Sequence, residues 1–303
     1  MRRTTRSQSR QALQPPADTT VPSHPQILLK NAPNPPEITI LSNAFFTPKL
    51  TGLTRASTIL LNNKRTKLRA SNTQLRSFIR APTNAPNKPL IHTLQATLVF
   101  AQEEAGTAVC ISAQGLLLTC SHCVADDAET AMDATNAHWL IFATGEVVRA
   151  VCVAWDARRD LALLCITAAE PPASQPQSTY LSPPLGPRTF PYASISQMPR
   201  LRIRTPLLCT GHPGSEDLEA DTPGIATGYD VLHISEGVYR GLAANQDPHD
   251  NSEIGALMHD CWILVGLHSS WEEESDMRRG VPLDALKAFL MEYTTLTFDD
   301  SKE

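Results

Sequence analysis

The feature that most limits the fold of this chain is how its apolar residues are spaced from His92 onward. They come in short runs broken by turn residues, with no long 3.6-residue stripe between them. Thr93–Gln102, Thr107–Ile111, Leu116–Thr119, Trp139–Ala143, Val147–Trp155 and Leu161–Ile166 are each strand-sized. Spacing of this kind fits an antiparallel sandwich or barrel. Ala168–Pro199 holds eight prolines and is expected to be a linker. A second strand-rich set follows at Ile203–Gly211, Tyr229–Ile234, Ile254–Cys261 and Ile263–His268. Pro282 then opens a helix with Leu283, Leu286, Leu290 and Tyr293 on one face. The expected fold is all-β: two small antiparallel β-barrels with a C-terminal helix. The first barrel spans about 91–167, the linker about 168–200, the second barrel with its helix about 201–295, and a tail 296–303.

Residues 1–90 have a different texture. They carry 14 Lys/Arg and 2 Asp/Glu, against 12 and 29 in the remainder, so a net charge of −5 joins a basic arm to an acidic body. Eleven of the 24 prolines also lie in the arm, which buries too little apolar surface to offset ordering entropy and is expected to be largely disordered. Ser57–Arg80 is its one helix-compatible stretch, short and basic. Nucleic-acid contact by the arm is a weak reading, because no aromatics interleave the cations.

The stretch with most chemical content is Gly106-Thr-Ala-Val-Cys-Ile-Ser-Ala-Gln-Gly-Leu-Leu-Leu-Thr-Cys-Ser-His122. Two strands joined by a turn at Gln114-Gly115 deliver an imidazole to a strand end, where a short helical turn would hold it over a cleft. Arg159-Asp160-Leu-Ala-Leu-Leu places a carboxylate just before a buried strand. An Asp so placed can accept the imidazole Nδ1–H, fix its tautomer and stabilise the imidazolium.

Together these segments resemble the trypsin-like (chymotrypsin-fold) serine peptidases, most closely their HtrA-like branch. Gly106–His122 follows that branch's G-[ST]-G-F-x-[IV]-S-x-x-G-x-[IL]-L-T-x-x-H pattern without a gap, with Ala108 in place of the second Gly. Arg159–Ile166 is similar to its D-L-A-L-L-x-I strand, Leu208–Gly214 to its G-x-P-x-G turn, and Val265–Trp271 to its V-G-I-x-S-W cleft strand. The resemblance spans about residues 92–293 and leaves the arm uncovered. It implies peptide-bond hydrolysis of a polypeptide substrate without a cofactor. His122 would be general base and then general acid, with Asp160 its orienting partner. His268, Ser269, Ser270 and Trp271 would line the cleft and pair with an extended peptide.

The nucleophile does not follow the pattern. In the HtrA-like branch a strand ending T-D-A leads into G-N-S-G-G-P-L, a hairpin, and then V-G-I. Leu257–Cys261 looks like the first strand, yet Trp262 runs directly into Ile263-Leu264-Val265-Gly266, as though a segment were missing. Asn251-Ser252-Glu253-Ile254-Gly255 is only superficially like N-S-G-G. Glu253 and Ile254 stand where small residues let the backbone curl, and a carboxylate opposes a developing oxyanion. Ser252, or another group such as Cys261, is the remaining candidate attacker. The expectation is a peptidase relative with impaired or absent hydrolysis; the alternative is a non-catalytic peptide-binding pseudoprotease.

Other motifs weigh less. Cys120-Ser-His-Cys123 has C-x-x-C spacing but no second pair, so neither zinc nor a redox dithiol is expected. Glu216, Asp217, Glu219 and Asp221 lack EF-hand spacing, and Glu272–Glu274 would favour basic peptides. No run of about 18 apolar residues is present, so no membrane partner is expected. The odd count of seven cysteines and the absence of an apolar segment behind the N-terminal arginines favour an intracellular site, cytoplasmic or nuclear. The acid-poor start is also compatible with a mitochondrial presequence.

Overall fold

In the computed structural model the described residues are 28–29, 38–41, 53–80, 88–102, 106–133, 135–171, 188–193, 195, 202–212, 214, 229–259, 267–272 and 277–299. The elements of the first half, in chain order, are β1 (Leu28–Leu29), β2 (Thr39–Ile40), α1 (Arg55–Arg80), α2 (Lys88–Gln95), β3 (Thr97–Phe100), β4 (Thr107–Cys110), β5 (Leu116–Thr119), α3 (Ala128–Met132), β6 (Ala137–Phe142), β7 (Val147–Asp156) and β8 (Leu161–Ala169). Those of the second half are β9 (Pro206–Gly211), β10 (His233–Leu242), β11 (Leu257–His259), β12 (Leu267–Glu272), β13 (Met277–Val281) and α4 (Leu283–Asp299).

Strands β3 to β8 close into a six-stranded barrel in the order β7-β6-β3-β4-β5-β8, with β8 pairing back onto β7. Side-chain alternation explains why its strands read as continuous apolar runs. On β5, Leu117 points into the barrel while Leu118 points outward to α4. On β8, Ala162, Leu164 and Ile166 fill the interior, and Leu161 and Leu163 join Ala285, Leu286 and Phe289 of α4. Both faces are buried, so no polar alternation survives. The expected helix face is present: Leu283, Leu290 and Tyr293 pack at the margin of that outer cluster.

The second half is a five-stranded antiparallel sheet, β12-β13-β11-β10-β9. Among the described residues its outer strands do not pair with each other, so a second closed barrel is not what these residues form. Several sequence boundaries shift as well. Thr93–Gln102 divides between α2 and β3; Tyr229–Ile234 leads into β10 rather than forming its own strand. β13 was not foreseen, because its Met-Arg-Arg-Gly-Val is polar and is stabilised by neighbours β11 and β12 on both sides. Residues 260–266, and with them Cys261 and the suspected missing segment, lie outside the described residues, as do Glu216–Asp221 and residues 273–274.

The arm departs from the expected disorder where it is described. α1 is a 26-residue helix, not a short one. Leu61 and Leu68, seven residues apart, are fully buried against Val99, Trp139, Ile141 and Val147 on the barrel's outer surface. Lys64, between them, is buried and donates its Nζ to the Phe100 carbonyl at 2.8 Å. Arg65 pairs with buried Glu170, whose other oxygen accepts the Val147 amide at 2.8 Å. Gly145 has φ +83° and lies under Arg69; a Cβ there would come within 2.4 Å of the Arg69 side chain. Two more arm segments continue the barrel's hydrogen bonding: β1 pairs with β7 beyond the reach of β6, and β2 with β8 beyond the reach of β5.

Candidate active site

β5 ends at Thr119, and the chain turns through a single 3-10 turn, Ser121–Cys123, closed by the Cys123 amide on the Cys120 carbonyl at 3.2 Å. The Trp155 indole N–H donates to the Ser121 carbonyl at 3.1 Å and pins the turn to β7. This is the short helical turn expected for His122, whose side chain is 41% exposed.

β7 and β8 are joined by a tight turn that presents Asp160. Asp156 Oδ1 accepts the Arg159 amide at 3.0 Å, and the Asp160 amide reaches the Ala157 carbonyl at 3.3 Å. Asp160 itself is left-handed, with φ 54°. A conformation of that kind costs on the order of 1 kcal/mol outside glycine, though Asp and Asn tolerate it best. Its carboxylate is buried, with 3% side-chain exposure, and faces the 3-10 turn.

The two halves meet there. His122 Nδ1 lies 2.9 Å from each carboxylate oxygen of Asp160, so the Nδ1–H tautomer donates to the acid. Ser121 Oγ donates to the same carboxylate at 2.9 Å, the His122 amide at 3.3 Å, and the Cys120 thiol also hydrogen-bonds it. Four donors thus satisfy a carboxylate that burial alone would disfavour. Burial pulls the imidazolium down; Cys123 and Asp160, acting through charge and hydrogen bonds, outweigh it and hold His122 well above the usual histidine value. The Cys120 thiol is likewise pushed up, by burial first and then by the Asp160 and Cys123 charges.

Ligand atoms of Cys120, His122 and Asp160 lie within 4.8 Å of one another, a donor set of the kind zinc takes. These donors, however, are spent on each other: both Asp160 oxygens and His122 Nδ1 are mutually bonded, and the thiol is fully buried. Cys110 and Cys123 are not joined in a disulfide.

Of the remaining sequence candidates, His268, Ser269, Ser270 and Trp271 all lie on β12, the outer strand of the second sheet. β12 is paired on one side with β13, with a register shift between His268 and Ser270 that leaves Ser269 without an opposite residue. Ser252 sits in the loop between β10 and β11. Its Oγ donates to Asp250 Oδ1 at 2.9 Å. Asn251 is buried; its amide donates to the Arg158 carbonyl at 2.7 Å, and its Oδ1 accepts the Ala256 amide at 2.8 Å. Arg158 also pairs with Asp247 at 2.9 Å and Asp250 at 3.5 Å. The β10–β11 loop is therefore docked on the turn that carries Asp160. The sequence reading missed the parts played by Ser121, Arg158 and Asn251; the adjacency of Ser121 and Arg158 to the motif residues was the one available signal.

The halves also touch at the motif glycine. The Gly106 amide donates to the His212 carbonyl at 3.2 Å, and Thr107 Oγ1 accepts the His212 amide at 2.8 Å. Gly106 has φ +119°, and a Cβ would press on Phe100 at 3.1 Å.

A closed six-stranded barrel with a His–Asp pair on its rim, set beside a second antiparallel sheet, defines the trypsin-like class of β proteins. The family model described as trypsin-like peptidase domain matches residues 106–267, more than half of the 303-residue chain, and the chain belongs to that family. No curated protein matches the chain. Among the described residues no helix is long and apolar enough to cross a membrane.

Proposed function

We propose that this chain is a trypsin-like serine endopeptidase relative in which hydrolysis is impaired or absent and binding of an extended polypeptide is retained. The observation that carries this reading is the Ser252 hydroxyl. It is engaged by Asp250, in a loop where Glu253 is exposed and no Gly-x-Ser-Gly occurs, whereas His122 is engaged by Asp160 and Cys123. A serine attacks only when its proton can pass to the imidazole, and its oxyanion needs backbone N–H donors in a place free of carboxylates.

The order of elements bears on the nucleophile segment. β10, the loop 243–256 and β11 follow one another as an antiparallel pair, so Leu257 begins the strand after the loop. That order supports reading Asn251-Ser252-Glu253-Ile254 as standing in for N-S-G-G, the motif being lost by residue type. Peptide binding rests on β12, whose outer edge has no partner strand among the described residues and can add an extended peptide.

The HtrA-like assignment rests on the Gly106–His122 and Arg159–Ile166 patterns, and an intracellular site on cysteine usage. The test is turnover of a mixed peptide pool by the wild-type chain and by His122→Ala, with binding of an extended peptide measured alongside by fluorescence anisotropy. Equal, background-level turnover with binding retained is expected. A large loss of turnover in His122→Ala would show that an attacking group is present.

A further inference from the structure

Arg159 is the residue before Asp160, and its guanidinium is 9% exposed. It is held from two directions. Asp156 Oδ2 accepts from Nη1 at 2.9 Å, within the same turn. Glu292, on α4 and 133 positions later in the chain, accepts from Nη1 at 3.0 Å and Nη2 at 2.7 Å as a bidentate pair. Asp156 also accepts the Arg159 amide, so it ties the guanidinium to the backbone that sets Asp160 in its left-handed conformation, while Glu292 holds the guanidinium from α4.

We infer that Glu292 and Arg159 are positioning residues for the His122–Asp160 pair, tying the C-terminal helix to the turn that aims the carboxylate. The inference rests on reading that pair as the acid–base half of a peptidase site. A nearly buried guanidinium satisfied by two carboxylates has one preferred location. When Glu292 loses its charge, Arg159 is left half-paired and moves toward water. The turn then relaxes, and a left-handed Asp160 has no alternative conformation that keeps both oxygens 2.9 Å from Nδ1. The groups facing the imidazole are Asp160 and Cys123. Those facing the Asp160 carboxylate are Cys120, Ser121 and His122; those facing Arg159 are Asp156 and Glu292.

The experiment is an NMR titration of the His122 imidazole in the full chain. It compares wild type, Asp160→Asn, Glu292→Gln, Glu292→Asp and Phe289→Leu. Phe289 is a fully buried residue of the same helix and does not bond Arg159, so its variant loosens α4 without touching the relay. The expected result is a His122 pKa lowered by about one unit in Glu292→Gln, partly restored in Glu292→Asp, and unchanged in Phe289→Leu. A raised wild-type value that Glu292→Gln leaves in place overturns the inference alone, as does an equal shift in Phe289→Leu. An ordinary wild-type value unmoved by Asp160→Asn overturns the His–Asp reading and the inference with it.

Discussion

The first barrel and the second sheet are built to different standards. In the barrel, β8 is buried along almost its whole length, packed inward on a core that includes Phe100, Leu117 and Phe142 and outward on α4. In the second sheet, β10 runs for ten residues and buries one of them. The barrel is closed on itself; β9 and β12 are outer strands. On the proposed function, the general-base half of the site sits on the first unit, and the segment standing in for the attacker sits in a loop of the second. Asn251 and Gly255 are buried in that loop, so it is the residue types Glu253 and Ile254, rather than loose packing, that set it apart from a serine-peptidase loop. A peptidase site divided across two units can lose its attacker and keep its fold.

The largest expected effect tests whether α1 is part of the barrel side of this comparison. Leu68→Ala and Leu61→Ala should each destabilise the chain by about 2–5 kcal/mol, measured by urea unfolding, because each side chain is fully buried against the barrel. A change under about 0.5 kcal/mol, the size usual for an exposed position, would return the helix to the status of an appended arm.

Next in size is a pH effect confined to the barrel. Burial pushes Glu146 up to about 7 against the pull of Arg188, and Glu170 adds to the rise. A carboxyl whose folded value is raised stabilises the fold most below the ordinary carboxylate range, and that contribution is lost as pH rises through about 7. Glu146→Gln should remove this loss, gaining on the order of 2–3 kcal/mol at pH 8 and little at pH 4, less whatever the ion pair to Arg188 contributes. Unfolding curves at the two pH values check it; parallel stability in wild type and variant would place Glu146 in contact with water.

A smaller difference is expected in amide hydrogen exchange. Amides of β10 should exchange faster than those of β5 and β8, because one of its ten residues is buried whereas most of β5 and β8 is. Equal protection would erase the contrast. The smallest effect concerns the peptide edge: reversing the charge of Glu272–Glu274 should weaken binding of a Lys/Arg-rich peptide several-fold at low salt, and an unchanged affinity would remove charge from the account of β12.

How much of this was legible in the sequence depended on how locally each feature is specified. His122 and Asp160 were readable because strand, turn and functional residue are contiguous, and the structure joins them at 2.9 Å. The helix at Ser57–Arg80 was legible, but its docking was hidden because Leu61 and Leu68 lie among seven Lys/Arg with no acid, a composition that looks solvated until the barrel surface that receives it is known. β13 was hidden for the converse reason: Met-Arg-Arg-Gly-Val is a strand only because two strands flank it. The short run Leu257–Cys261 shows a third limit. An apolar run marks a strand but does not name its neighbour, and the pairing of β11 with β10 across the loop 243–256 is visible only in the structure.

The central claim is that His122 and Asp160 form an aligned pair to which Ser252 supplies no attacking hydroxyl. Incubating the full chain with a serine-directed phosphonate probe and reading the intact mass tests this directly. The account predicts an unmodified chain under conditions that label an active trypsin-like enzyme to completion. One probe per chain, mapped to Ser252 and lost in His122→Ala, would contradict it.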